Sequence, residues 1–122
     1  MQWTLSSDRP IYAQLTEQLT LRIITGAYGP GQRLPSVREL AAEAAVNPNT
    51  MQKALAQLEQ NGLVFTQRTS GRFITEDLEM IVRAKNAMAK NLAAEFVEKA
   101  LGLGLSAQEI KALLETILKE EK

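Results

Sequence analysis

The sequence contains no cysteine and no histidine. The first absence excludes disulfides, thiolate catalysis and cysteine-ligated zinc. The second removes the usual general base and the commonest metal-binding side chain. No apolar run reaches the length of a membrane span, and no signal-peptide core is present, so the chain is expected to stay in the cytosol with no membrane partner. Enzymatic chemistry would have to rest on carboxylates, lysines and hydroxyls, and neither a nucleophile–base pair nor a metal cluster stands out among them. The chain therefore reads as a non-enzyme without a cofactor.

What remains is 122 residues, 45% of them apolar, which suits one folded domain or a small domain with an appendage. Fourteen basic residues balance fourteen acidic ones, so net charge says nothing about partners. Its distribution says more. Between Arg22 and Arg72 six basic residues (Arg22, Arg33, Arg38, Lys53, Arg68, Arg72) face three acidic ones, whereas from Glu76 onward seven basic residues face nine acidic. A basic excess in the first part is what phosphate binding needs, although a solvated mixed surface would look similar.

The segment RLPSVRELAAEAAVNPNTMQKALAQLEQNGLV, 33–64, reads as two short amphipathic helices joined by a tight turn. Ser36-Val37-Arg38-Glu39 fits a capping box, with Val37, Leu40, Ala41 and Ala44 facing inward. Arg38 lies in the first turn, where a cation opposes the helix dipole. It either meets an external anion, such as a DNA phosphate or a guanine edge, or pairs with Glu39 or Glu43. The next helix opens at Asn47-Pro48, a cap followed by proline at the first helical position. Met51, Ala54, Leu55 and Leu58 form its buried stripe and leave Asn49, Gln52 and Lys53 off it. Asn and Gln can pair bidentately with adenine, and Thr50 can reach a phosphate or a thymine methyl; plain solvation is the alternative for each. Asn61-Gly62 ends this helix. FTQRTSGRFIT, 65–75, then gives two strand-like runs around Thr69-Ser70-Gly71. Arg68 and Arg72 flank the tip, which suits a narrow minor groove, and Gly71 lets backbone approach closely. Helix-turn-helix followed by a hairpin is a winged helix.

Upstream, residues 1–7 form a lead-in in which Trp3 and Leu5 alternate as in a strand, with Trp3 as a packing anchor. A first helix is expected from Asp8-Arg9-Pro10, an N-cap followed by a proline in the first turn, with Ile11, Leu15, Leu19 and Ile23 in the core, and it ends at Gly26. Downstream, a long helix over 78–101 carries Ile81, Met88, Leu92 and Phe96. Gly102 and Gly104 break it, Ser106 and Glu109 form a second capping box, and a last helix presents Ile110, Leu113, Leu114, Ile117 and Leu118. Two such helices cannot bury both stripes without a partner surface. A second copy of the chain is the simplest one, and folding back on the winged helix is the alternative.

Five stretches, PIYAQLTEQL (10–19), GQRLPSVRELA (31–41), VNPNTMQKAL (46–55), LEQNGLV (58–64) and TSGRFI (69–74), resemble the N-terminal domain of GntR-type bacterial transcription regulators in order and spacing. The resemblance implies a winged helix whose third helix enters the major groove and whose wing reaches the minor groove. By position, the family's contacts fall on Ser36, Arg38, Asn47, Asn49, Thr50, Gln52 and the Ser70-Gly71 tip. Many members carry arginine where this chain has Pro48 and Gln52, so an operator sequence does not carry over. The short C-terminal region resembles the YtrA subfamily, in which such an appendage mainly dimerises and transporter genes are often the targets.

The sequence thus implies a mainly α fold with a small β-hairpin. A winged helix-turn-helix over 1–76 binds DNA, and a two-helix dimerisation region follows over 77–122. The implied activity is a homodimeric, sequence-specific regulator that reads a two-fold-related operator; its sign as a repressor comes from the resemblance alone. No convergent polar residues mark an effector pocket. A winged helix serving as a protein-interaction module is the rival, but a protein-binding face should be more apolar than this polar third-helix start.

Overall fold

The computed structural model of the chain describes residues 3–121; Met1 and Gln2 of the lead-in, and Lys122, lie outside the described residues. Five helices and a two-stranded hairpin follow one another as α1 (Ile11–Ile24), α2 (Val37–Ala44), α3 (Pro48–Gln60), β1 (Val64–Gln67), β2 (Gly71–Ile74), α4 (Leu78–Gly102) and α5 (Ala107–Glu120). The chain divides into two compact units between Lys85 and Asn86.

The first unit is a winged helix. Its core gathers Leu15, Leu19 and Ile23 of α1, Leu40, Ala41 and Ala44 of α2, and Met51, Ala54, Leu55 and Leu58 of α3, closed by Leu34, Leu63, Val64 and Ile74. These are the helical stripes at spacings of three and four, and α1 packs chiefly on α3. Local chemistry sets the helix ends. Ser36 Oγ accepts from Glu39 N at 3.1 Å while Glu39 Oε1 accepts from Ser36 N at 3.0 Å. Asn47 Oδ1 accepts from Asn49 N at 2.7 Å, with Pro48 opening α3. Gly62, at φ +82°, takes the left-handed conformation that ends α3. Between α2 and α3, Ala45 adopts that conformation without being glycine, at φ 57° and ψ 46°. The reversal is closed by Val46 N donating to Ala41 O at 3.0 Å.

Two expectations at the chain start change. Pro10, not Asp8, occupies the N-cap of α1, with no side-chain cap; the Asp8 carboxylate instead accepts from the Ser6 hydroxyl. Nor does the lead-in form a strand. Its backbone is held by side chains one turn apart on α1. Gln14 Oε1 accepts from Ser6 N at 2.8 Å, and Gln14 Nε2 donates to Ser6 O at 2.8 Å and Arg9 O at 2.9 Å. Gln18 brackets Thr4 in the same way, taking its N–H at 3.1 Å and donating to its carbonyl. The Arg22 guanidinium lies 3.9 Å from the centre of the Trp3 ring. The residues at 14, 18 and 22 stand on one face, so α1 supplies with amides the bonds that a neighbouring strand would otherwise provide. Trp3 and Leu5 pack on the core, as an anchor should.

The start of α4 belongs to this unit. Met80, Ile81 and Ala84 pack against the winged-helix core. Ile81, grouped by periodicity with a dimerisation stripe, is therefore used within the chain, because the first turns of α4 lie against that core.

The second unit comprises the rest of α4 and α5. Gly104, at φ +92°, and the Ser106–Glu109 capping box separate the helices. Ala100 and Ile110 are its buried apolar residues, so Ile110 is also covered within the chain and not left for a partner. Met88 and Phe96 are half-buried. Leu92, Leu113, Leu114, Ile117 and Leu118 are exposed, together with Val97, Leu101 and Leu103.

Candidate nucleic-acid interface

Three segments of the first unit carry the residues singled out above. The start of α3 comes first. Asn47 is spent on the cap, while Asn49 and Gln52 project into solvent and Thr50 is half-buried. No acidic residue occupies the first turn, so the positive end of the helix dipole there is left uncompensated. Lys53 is exposed too, but its ammonium sits 3.9 Å over the Tyr12 ring of α1. It is held by a cation–π contact at the side of the helix.

The start of α2 is second. Ser36 and Arg38 are exposed. Glu39, the nearest carboxylate in sequence, is committed to the capping box. Its carboxyl is held below the ordinary glutamate range by the Ser36 backbone N–H first, the Ser36 hydroxyl next, and the charge of Arg33 as well. Among the described residues Arg38 makes no ion pair, with neither Glu39 nor Glu43 as partner.

The wing is third. Its strands pair antiparallel, Val64 with Ile74, Phe65 with Phe73, Thr66 with Arg72 and Gln67 with Gly71. Ser70 N donates to Gln67 O at 3.1 Å to close the tip. Gly71 has φ +107°, and a Cβ there would lie 3.1 Å from Arg33 Nε. The backbone thus requires glycine, and a side chain there would also press on the guanidinium beside it. Arg33 owes its place to a third, one-residue strand. It bridges to Phe73, with Leu34 N donating to Arg72 O at 2.8 Å and Ile74 N to Gln32 O at 2.9 Å.

The start of α2 and the wing enclose an open cleft of about 610 Å³, lined among others by Arg33, Ser36, Arg68, Gly71 and Arg72. The fold therefore brings Ser36, Arg68 and Gly71 together with an arginine the motif reading missed. Arg33 lies in a loop without periodicity, and only the bridge to β2 turns it toward the wing. Arg72 lies in the same cleft but is already engaged, its Nε donating to Glu59 Oε1 at 2.8 Å. Exposed amides, a hydroxyl and guanidinium groups on backbone of fixed geometry can donate to and accept from base edges and neutralise phosphates. Among the described residues no group of histidines, cysteines and carboxylates could hold a metal ion, and no helix is long and apolar enough to cross a membrane.

Comparison with known proteins points the same way. The family model described as bacterial regulatory proteins, gntR family, matches residues 11–74. The HTH-type transcriptional repressor YtrA of Bacillus subtilis is 33% identical over 117 residues, covering 95% of this chain and 90% of the repressor. A GntR family transcriptional regulator from Listeria monocytogenes superposes with a TM-score of 0.84 at 37% identity, covering 92% of this chain and 98% of that structure. The DNA-binding domain of AraR, solved in complex with an operator, superposes with a TM-score of 0.53 at 31% identity over 62% of this chain and 94% of the domain. These relatives are transcription regulators, not enzymes.

Proposed function

Because the chain belongs to the gntR family of bacterial regulatory proteins, whose model matches residues 11–74, we propose that it is a sequence-specific repressor acting in the cytosol. It binds a two-fold-related operator as a homodimer and occludes the promoter of its own operon, with transporter genes as candidate targets. In this reading the winged helix, up to about residue 76, meets DNA, and the helices beyond it pair with a second copy. The observation that carries the reading is the cleft in which Arg33, Arg68 and Ser36 converge between α2 and the wing, next in the chain to a third helix whose first turn is free of acid. α3 would lie in the major groove, with Asn49 and Gln52 on base edges, and the Arg68–Ser70–Gly71 tip in the minor groove. Arg33, Ser36, Arg38 and Lys53 would meet phosphates. The dimer is supported by the exposed apolar residues of the second unit, such as Leu113 and Ile117 at 39% and 41% exposure, and the repressor sign by the name of the YtrA relative.

The test is fluorescence anisotropy with the duplex upstream of the chain's own gene and a scrambled duplex, across a salt series. Preference for the upstream duplex by about a thousandfold, with affinity falling steeply as salt rises, is the expected result. Weak binding, equal on both duplexes and repeated on duplexes selected from a random library, would refute it.

A further inference from the structure

Glu59 stands at the junction of helix and wing. It belongs to the last turn of α3, and its Oε1 accepts from Thr66 Oγ1 at 2.6 Å and from Arg72 Nε at 2.8 Å. Thr66 and Arg72 are partners across the hairpin, so one carboxylate oxygen ties both strands to the helix. The tie has little competition. Along β1 only Val64 is buried, and Phe65, Thr66 and Gln67 are exposed. Past Val64 no apolar side chain of that strand anchors the hairpin to the unit. Residues 31–34 bond the outer edge of β2, and the carboxylate is the side-chain tie that joins both strands of the hairpin to α3. That tie has leverage. Ser70 N donates back to Gln67 O, so the tip at Arg68–Ser70 stands just past the Gln67–Gly71 pair, at most roughly 10 Å beyond Thr66. Gln52 lies seven residues from Glu59, about 10 Å along α3. Hydrogen bonds from Thr66 first, then from Arg72, hold the Glu59 carboxyl below the ordinary glutamate range, so the anion persists at neutral pH.

We infer that Glu59 is a positioning residue for DNA reading: through Thr66 and Arg72 it sets the distance between the wing tip and the base-reading turn of α3, so that Arg72 serves as a strut and not as a phosphate ligand. The inference rests on the regulator reading for its consequence on DNA, but the tie can be tested without DNA. The absence of cysteine makes the labelling clean. Spin labels at Ala56→Cys and Thr69→Cys, with labelled chain diluted into an excess of unlabelled chain, report the helix-to-tip distance. One narrow distance is expected in the otherwise unmodified chain. Broad distributions are expected for Glu59→Gln and for Arg72→Gln, and a distribution no broader for the double variant, since both residues act through one tie. A distribution that stays narrow in Glu59→Gln, or broadens further in the double variant, overturns the proposal.

Dimethyl sulfate then reads both grooves at once, because guanine N7 lies in the major groove and adenine N3 in the minor. On a duplex selected from a random library by the unmodified chain, Glu59→Gln at matched occupancy should keep guanine N7 protection and lose adenine N3 protection, with affinity down about tenfold, the loss of one good contact. Both protections retained, or both lost together, overturn the proposal. So does a salt dependence lowered by one phosphate in Arg72→Gln and unchanged in Glu59→Gln, which would make Arg72 a phosphate ligand. A chain that selects no duplex refutes the regulator reading alone, and the label distances still decide the tie.

Discussion

Ile117→Lys tests the proposed pairing of the second units. Ile117 lies in the last turn of α5 and is 41% exposed. Full burial of such a side chain contributes about 1.5–3 kcal/mol, so the exposed fraction leaves roughly 0.6–1.2 kcal/mol for a partner to realise. A two-fold pair uses the position twice, which doubles that to about 1–2.5 kcal/mol. Lysine forfeits it and adds the cost of drawing two ammonium groups from water, moderated where they reach the rim. The helix itself gains, because lysine has the better propensity and lies at the negative end of the dipole. The dimer dissociation constant should therefore rise by about 100-fold or more, equivalent to about 2.7 kcal/mol, while the fold is kept. Sedimentation velocity over a concentration series reads the first effect and circular dichroism the second. Anisotropy adds the functional consequence, since affinity for a two-site duplex should fall to that for a half-site duplex, which itself stays unchanged. A variant that dimerises with the unmodified constant would refute the pairing face. So would an unmodified chain that remains monomeric at concentrations where it saturates the two-site duplex.

Other expectations follow from single observations. Arg38→Ala should weaken binding to every duplex by a similar factor, while Gln52→Ala should relax discrimination at one base position by about 1–3 kcal/mol; equal losses on selected and random DNA for Gln52→Ala would count against base reading. Gln14 is 3% exposed and makes three bonds, two to Ser6 and one to Arg9, so Gln14→Ala should cost about 2–3 kcal/mol in urea unfolding at fixed protein concentration and open residues 3–9 to proteolysis. A loss below about 0.5 kcal/mol, the level of an ordinary surface change, would show that the lead-in holds without it. Ala45→Gly relieves a left-handed alanine and should raise the melting temperature by a few degrees, less the entropy glycine adds to the unfolded chain; a lower melting temperature would mean the turn carries no strain. Glu39, Glu59 and Glu109 all have folded-state pKa values below the ordinary 4.5, so their contribution is complete above that pH and is lost as pH falls through the lowered values. The variant with all three changed to Gln should show a shallower loss of stability between about pH 5 and pH 3 in thermal melts; an unchanged acid limb would refute this assignment.

Much of the fold was legible because its signals are local. A capping box needs a hydroxyl and a carboxylate three residues apart, and both Ser36–Glu39 and Ser106–Glu109 form one. Asn47-Pro48 and Gly62 act within a turn of their own position, and the stripe of α3 buries Met51, Ala54, Leu55 and Leu58 because helical spacing leaves no other face for them. Where a local rule had a competitor it failed. Asp8 met the Ser6 hydroxyl before it could cap α1, and the alternating lead-in found side-chain amides where a strand would have needed a neighbour.

The candidate site divides along the same line. The identity of the exposed residues at the starts of α2 and α3 followed from the sequence, since capping and periodicity decide which side of a short helix faces the core. What each long charged side chain touches did not follow, because a guanidinium or ammonium on several rotatable bonds has many partners within reach until packing removes all but a few. Tertiary structure sent Arg72 to Glu59, thirteen residues away, laid Lys53 on Tyr12 and turned Arg33 toward Gly71. It also settled which apolar residues the chain covers for itself. Ile81 and Leu113 look alike in a periodic pattern, yet Ile81 packs on the winged-helix core and Leu113 stays exposed. Periodicity determines the face a residue occupies, and only the path of the chain in space determines what that face meets.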